Sequence, residues 1–157
     1  MIGRIYRKIK TTIFKLLFPQ FASAVLYEVP RVYYKKRLKL GNKVHINDNI
    51  FINAVGGVTI GNYDVLSHGV TIVSTGLDTS EWIDRVEDED RHIDNSVVIG
   101  DNVWVGSNVT ICAGVIIAKN SIIAAGAVVT KSLTEEGCIY GGVPARVIKR
   151  LKDNEEL

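Results

Sequence analysis

The sequence predicts an all-β chain wound as a parallel β-helix, and three observations carry that expectation. From residue 99 to residue 129 an aliphatic side chain falls on every sixth position: Ile99, Val105, Ile111, Ile117, Ile123 and Val129. Small or turn-forming residues follow each one, as in Gly100-Asp101-Asn102, Gly106-Ser107-Asn108, Cys112-Ala113-Gly114 and Ala124-Ala125-Gly126, where a short strand must turn a corner with little room. A period of six is neither the 3.6 of a helix nor the 2 of a strand. It suits a triangular coil of three six-residue faces with the aliphatics stacked inside.

The same ladder is read backwards from there. Leu40, Ile46 and Ile52 form its start, and two extra residues at Val55-Gly56-Gly57 mark a bulge or small loop. The ladder resumes at Ile60, Leu66 and Ile72. Residues 74–96 lose the period and turn polar, with Asp78, Trp82, the run Glu87-Asp88-Glu89-Asp90, and His92, which predicts a loop protruding from one corner. Three rungs per coil give about four coils over residues 40–143. Pro144, Ala145, Val147, Ile148 and Leu151 predict a short C-terminal helix within 144–157, with Pro in its first turn.

Residues 1–39 differ in kind. Ile2, Ile5, Tyr6, Ile9, Ile13, Leu16 and Leu17 recur at spacings of three and four with Arg4, Arg7, Lys8, Lys10 and Lys15 between them, an amphipathic basic helix ending near Pro19. Two occupants suit its apolar side: the open end of the β-helix or a neighbouring subunit, and, for residues 1–18, an anionic membrane surface. Residues 20–39 read as a broken helical or extended segment interrupted by Pro30, and the basic aromatic patch Tyr33-Tyr34-Lys35-Lys36-Arg37 is too short to argue for nucleic acid.

Bulk composition sets the outer limits. At 157 residues and 46% hydrophobic content the chain is one domain with a core. Residues 1–43 hold eleven Lys or Arg against the single Glu28, whereas the remainder carries eight basic and sixteen acidic side chains: the leader is basic and the body acidic. Cys112 and Cys138 make neither a disulfide framework nor a metal cluster, and basic residues interrupt every apolar run near the start, so a reducing cytoplasm is the simpler expectation. His45, His68 and His92 have no spacing that would converge them on zinc, and no metal is expected.

With the hexads, the loop, Asn102-Val103-Trp104-Val105-Gly106, residues 124–131 and Gly141-Gly142-Val143-Pro144-Ala145-Arg146-Val147-Ile148-Lys149 in hand, residues 44–150 resemble the left-handed β-helix (hexapeptide-repeat) acyltransferases. They look most like the maltose, galactoside and surface-polysaccharide O-acetyltransferases. The resemblance implies an acetyl-CoA-dependent transfer to a hydroxyl of a sugar or polysaccharide precursor. It also implies a homotrimer with active sites between prisms and a histidine as general base in direct attack on the thioester. A sugar hydroxyl is a poor nucleophile at neutral pH, which is why a positioned imidazole is needed. An N-acetyltransferase or another acceptor on the same fold, and a non-catalytic trimeric scaffold, are the alternatives.

Site residues follow from the same comparison. In the maltose and galactoside enzymes the base comes five positions after the last rung before the loop, which here is Leu77, an aliphatic that accepts no proton. His68, two positions after Leu66, has the register of the base in other left-handed β-helix transferases and is the first candidate; His92 in the loop is the second. Asp78 or Asp64 is the expected orienting carboxylate. Trp104, Ser107, Ala125, Gly126, Thr130, Lys131, Arg146 and Lys149 fall on positions that contact CoA in the family, where small residues admit the pantetheine arm and cations meet phosphates. Asn53 and Trp82 are the acceptor-side candidates; Trp82 would stack on a sugar face or hold the loop to the prism.

Overall fold

A computed structural model describes residues 2–80, 83 and 91–151. Trp82 and the acidic run Glu87-Asp88-Glu89-Asp90, both singled out in the sequence, lie outside the described residues. The chain opens on helix α1 (Ile2–Leu17) and a 3-10 turn (Pro19–Phe21). The first coil is β1 (Val25–Leu26), β2 (Arg31–Tyr33) and β3 (Leu38–Leu40), and the second is β4 (His45–Ile46), β5 (Phe51–Asn53) and β6 (Val58–Ile60). The third coil is β7 (Val65–Leu66), β8 (Thr71–Val73) and, after the hairpin β9 (Thr75–Leu77) and β10 (His92–Asp94), β11 (Val97–Ile99). Then come β12 (Trp104–Val105), β13 (Thr110–Ile111) and β14 (Ile116–Ile117), β15 (Ile122–Ile123) and β16 (Val128–Val129), and finally β17 (Cys138–Gly141) and β18 (Arg146–Arg150).

Successive coils stack as three parallel sheets. The first runs β1-β4-β7-β12-β15-β17, the second β2-β5-β8-β13-β16 and the third β3-β6-β11-β14. Register is fixed rung on rung: Ile46 opposite Leu66, Leu66 opposite Val105, Val105 opposite Ile123. From the second coil onward the aliphatic at each rung is buried, Leu26 and Leu40 of the first coil are partly so, and the rungs form one continuous core. Burial of that column, at about 25 cal/mol per Å² of apolar area, is the main term holding coils of only two or three residues per strand together.

Two expectations are corrected. The solenoid has five coils rather than four, because residues 20–39, read as a broken segment before the first rung at Leu40, already hold the strands of a coil. Its strands pair with the second coil at Leu26 opposite Ile46, Val32 opposite Ile52 and Leu40 opposite Ile60. The C-terminal helix expected within 144–157 does not form over the described residues 144–151. β18 instead pairs antiparallel with β17, beginning at Gly141 opposite Arg146 and ending at Cys138 opposite Arg150. The last strand of a sheet leaves a row of unpaired backbone groups, and β-branched Val147 and Ile148 suit a covering strand.

The N-terminal end is closed by α1 and the turn after it. Phe14 and Phe21 belong to the core, Phe18 packs against it, and the Phe14 ring lies 4.9 Å from each of the other two. Lys15 donates to the carbonyl of Ala24. No helix among the described residues is long and apolar enough to cross a membrane.

Candidate active site

The corner that joins the first sheet to the second carries the most chemistry. Three backbone bonds set its register: Gly69 N–H to the Asp48 carbonyl at 3.2 Å, Asn108 N–H to the His68 carbonyl at 2.9 Å, and Gly126 N–H to the Ser107 carbonyl at 2.8 Å. Asp48, His68, Ser107 and Ala125 therefore form one column along four successive coils. Gly69 and Gly126 follow at positive φ, 72° in each case, a turn that residues with a Cβ rarely take. A Cβ on Gly69 would stand 2.2 Å from Asn108 Oδ1, so the Asn108 side chain fills the space beside this glycine.

Within that column the His68 Nδ1–H donates to Asp48 Oδ2 at 3.0 Å. The hydrogen bond from His68 is the foremost reason the Asp48 carboxyl titrates below its usual range. With Nδ1 engaged, Nε2 is the nitrogen left to accept a proton. Both side chains are about half exposed, so the pair is open to a substrate. Beside it, Trp104 donates from Nε1 to the Ser67 hydroxyl at 3.0 Å, and its ring is 53% exposed on the same edge.

The orienting carboxylate is thus a residue the sequence reading passed over. Asp78 instead pairs with Ser80 in a local turn, where the Ser80 hydroxyl first and its N–H, at 2.8 Å, second lower the pKa of the carboxyl, and it sits at another corner of the third coil. Asp64 is fully buried where the third sheet turns into the first; its Oδ1 accepts from Val103 N–H at 2.7 Å and its Oδ2 has no hydrogen-bond partner. Burial pushes its pKa up to about 7. Neither carboxylate reaches His68.

The corner between the second and third sheets gathers a different set. Asn53 turns its Oδ1 to the N–H of Val55 at 3.3 Å, and its carbonyl accepts from both the N–H and the hydroxyl of Ser74. The hairpin β9–β10 leaves from this corner, with His92 directly opposite Leu77. Thr130 and Lys131, both exposed, follow β16 at the same corner two coils on. Arg146 and Lys149 stand exposed on β18, at the far end of the first sheet. One chain therefore brings Asp48, His68, Trp104, Ser107, Ala125 and Gly126 to one corner, and places Asn53, Asp78, His92, Thr130 and Lys131 at another. Among the described residues no group of three or more His, Cys, Asp or Glu side chains is gathered to hold a metal ion.

Residues 96–131 match the family model described as bacterial transferase hexapeptide, six repeats. That stretch is a run of hexapeptide repeats. The fold of the whole chain is the left-handed parallel β-helix expected from the sequence, and the solved structures similar to it include acetyltransferases. A hexapeptide-repeat containing acetyltransferase of Vibrio cholerae O1 biovar eltor, complexed with acetyl coenzyme A, is similar over 92% of this chain and 79% of its own, at 25% identity and a TM-score of 0.73. A galactoside acetyltransferase in complex with coenzyme A is 29% identical over 92% of this chain and 71% of its own, with a TM-score of 0.69. A maltose O-acetyltransferase from Clostridium difficile is 25% identical over 96% of this chain and 87% of its own, with a TM-score of 0.66. No curated protein matches the chain in sequence.

Proposed function

We propose that the chain is an acetyl-CoA-dependent O-acetyltransferase that acts on a hydroxyl of a sugar or surface-polysaccharide precursor. The observation that carries this reading is the His68–Asp48 pair, 3.0 Å apart, at the foot of a column that continues upward through Ser107 and Ala125. Asp48 holds the imidazole with Nε2 outward. His68 takes the proton of the acceptor hydroxyl as its oxygen forms the new C–O bond, and the thioester C–S bond breaks with the thiolate receiving a proton. Acetyl-CoA supplies the acyl group. Ser107, Ala125 and Gly126 leave room along the column for the pantetheine arm, and Lys131, Arg146 and Lys149 meet its phosphates. The same reading includes a homotrimer, because the candidate residues lie at two different corners of one prism and prisms packed side by side would bring one such corner against the other.

The test is His68→Ala with acetyl-CoA and a panel of sugar acceptors. Loss of a general base lowers kcat by roughly 10²- to 10⁴-fold while calorimetry still finds acetyl-CoA bound. A variant that keeps more than about a tenth of wild-type kcat would remove His68 from the mechanism. Acetylation of amines with no hydroxyl acceptor would turn the reading to an N-acetyltransferase, and absence of acetyl-CoA binding to a scaffold.

A second reading rests on one observation. His92 is the cross-strand partner of Leu77, the position where the maltose and galactoside enzymes carry their base. Residues directly opposite in an antiparallel pair project to the same face, which supports His92 as a base offered from the strand beside Leu77. The same assay on His92→Ala separates the two, since only the true base shows the loss.

A further inference from the structure

Helix α1 packs against the solenoid with its less apolar side. Thr11 and Phe14 are its buried residues, and the Thr11 hydroxyl donates back to the carbonyls of Arg7 and Lys8. At 3.6 residues per turn, Ile5, Ile9, Ile13 and Leu16 lie on the opposite side, with Tyr6 and Leu17 at its margin. All six are more than half exposed, Leu16 at 77%. An amphipathic helix in a globular protein ordinarily turns its apolar stripe to the core. Here that stripe points away from it, off the end of the prism.

The charge around the stripe selects its occupant. Lys8 and Lys10 flank the row on either side, Lys10 with its ammonium 4.9 Å from the centre of the Tyr6 ring. The helix has no acidic residue. The adjoining first coil adds Arg31, Lys35, Lys36, Arg37 and Lys39, and exposes Tyr27, Tyr33 and Tyr34. Two copies meeting end to end through this face would set the Lys and Arg side chains of one helix against those of the other with no acidic residue on either to offset them, a repulsive arrangement. An anionic bilayer satisfies both features: acyl chains take the apolar row, lipid phosphates take the flanking Lys and Arg, and tyrosines sit at headgroup depth.

We infer that α1 is a membrane-surface helix that seats the first coil of the prism on an anionic lipid bilayer. The enzyme then stands with its solenoid axis rising from the membrane and its corners open to a glycan held at that surface. The inference does not depend on the acetyl-transfer reading, since binding is read without turnover.

The experiment is co-sedimentation of the full chain with phosphatidylcholine vesicles, either pure or containing about a quarter phosphatidylglycerol. The chain binds the anionic vesicles at least about tenfold more tightly than the neutral ones, and Ile5→Ser/Ile9→Ser/Ile13→Ser loses that binding by a similar factor. Because the three isoleucines are exposed, the triple variant melts with the wild type. Should it melt lower, Lys8→Glu/Lys10→Glu carries the test and must lose the preference for anionic vesicles. Equal binding to both vesicle types, or full binding by both variants, would overturn the inference. So would a wild type that ignores vesicles while the triple substitution lowers its sedimenting mass, which would assign the face to a second copy.

Discussion

His68 and Asp48 show what a single residue's register decides. Asp48 stands two positions after the rung Ile46, as His68 stands two positions after Leu66, and the rungs are opposite in the stacked strands. That relation is legible in the ladder once the two-residue step at Gly56 and Gly57 is counted, whereas Asp78 stands next to Leu77 in sequence and at another corner in space. Asp48→Asn tests the role. The amide keeps the shape but no longer stabilises a protonated imidazole, so kcat falls by about 10- to 100-fold with the KM for acetyl-CoA unchanged. An unchanged kcat would make the pair structural. Asp64 gives a second prediction, with a sign fixed by its raised pKa. Between about pH 4 and 7 the folded chain holds a proton that the unfolded chain has released, so stability falls as pH rises through that window and is level above it. Asp64→Asn, the neutral isostere of the protonated acid, removes this slope. It gains on the order of 1–3 kcal/mol relative to wild type between pH 5 and 8 in urea denaturation. Parallel stability curves for the two proteins would contradict it.

Elements in this fold are set by corners more than by strands. The first coil repeats the rung spacing of the second: Leu26, Val32 and Leu40, then Ile46, Ile52 and Ile60, each with an eight-residue step at the corner between the second and third sheets. The sequence held that pattern, but Pro30 and the basic cluster masked it. The long loop leaves from the same corner in the third coil, so three successive coils take their insertions there. The C-terminal strand was not legible, because Val147, Ile148 and Leu151 also fit one turn of helix; what decides is the unpaired edge of β17, a tertiary fact. The corners also explain their glycines. A Cβ on Gly106 would stand 2.7 Å from both the Ala125 nitrogen and the Ile123 carbonyl oxygen, backbone atoms that cannot turn aside. Gly106→Ala therefore forces the fourth and fifth coils apart and costs roughly 1–3 kcal/mol or more, seen as a lowered midpoint in thermal unfolding. A variant that melts with the wild type would show that the corner yields freely.

At the scale of the molecule, the fold divides the candidate residues between corners that one prism cannot bring together, and this is where sequence reading alone stops. Ladder counting places Lys131 and His68 on their coils; it does not say that they point apart. If the proposed site spans two neighbouring prisms, His68 from one chain and Lys131 from the next serve the same substrate, and inactive variants should rescue each other. His68→Ala and Lys131→Glu, unfolded together in equal amounts and refolded, assort at random into trimers. Each interface then has a chance of one half of receiving an intact His68 and one half of receiving an intact Lys131, so about a quarter of the interfaces are whole. Assayed at acetyl-CoA well below the wild-type KM, the mixture regains about a quarter of wild-type activity, far above either variant refolded alone. A mixture no better than the mean of the two variants would place both residues in a site built by one chain, and the corner geometry described here would then have to close within a single prism.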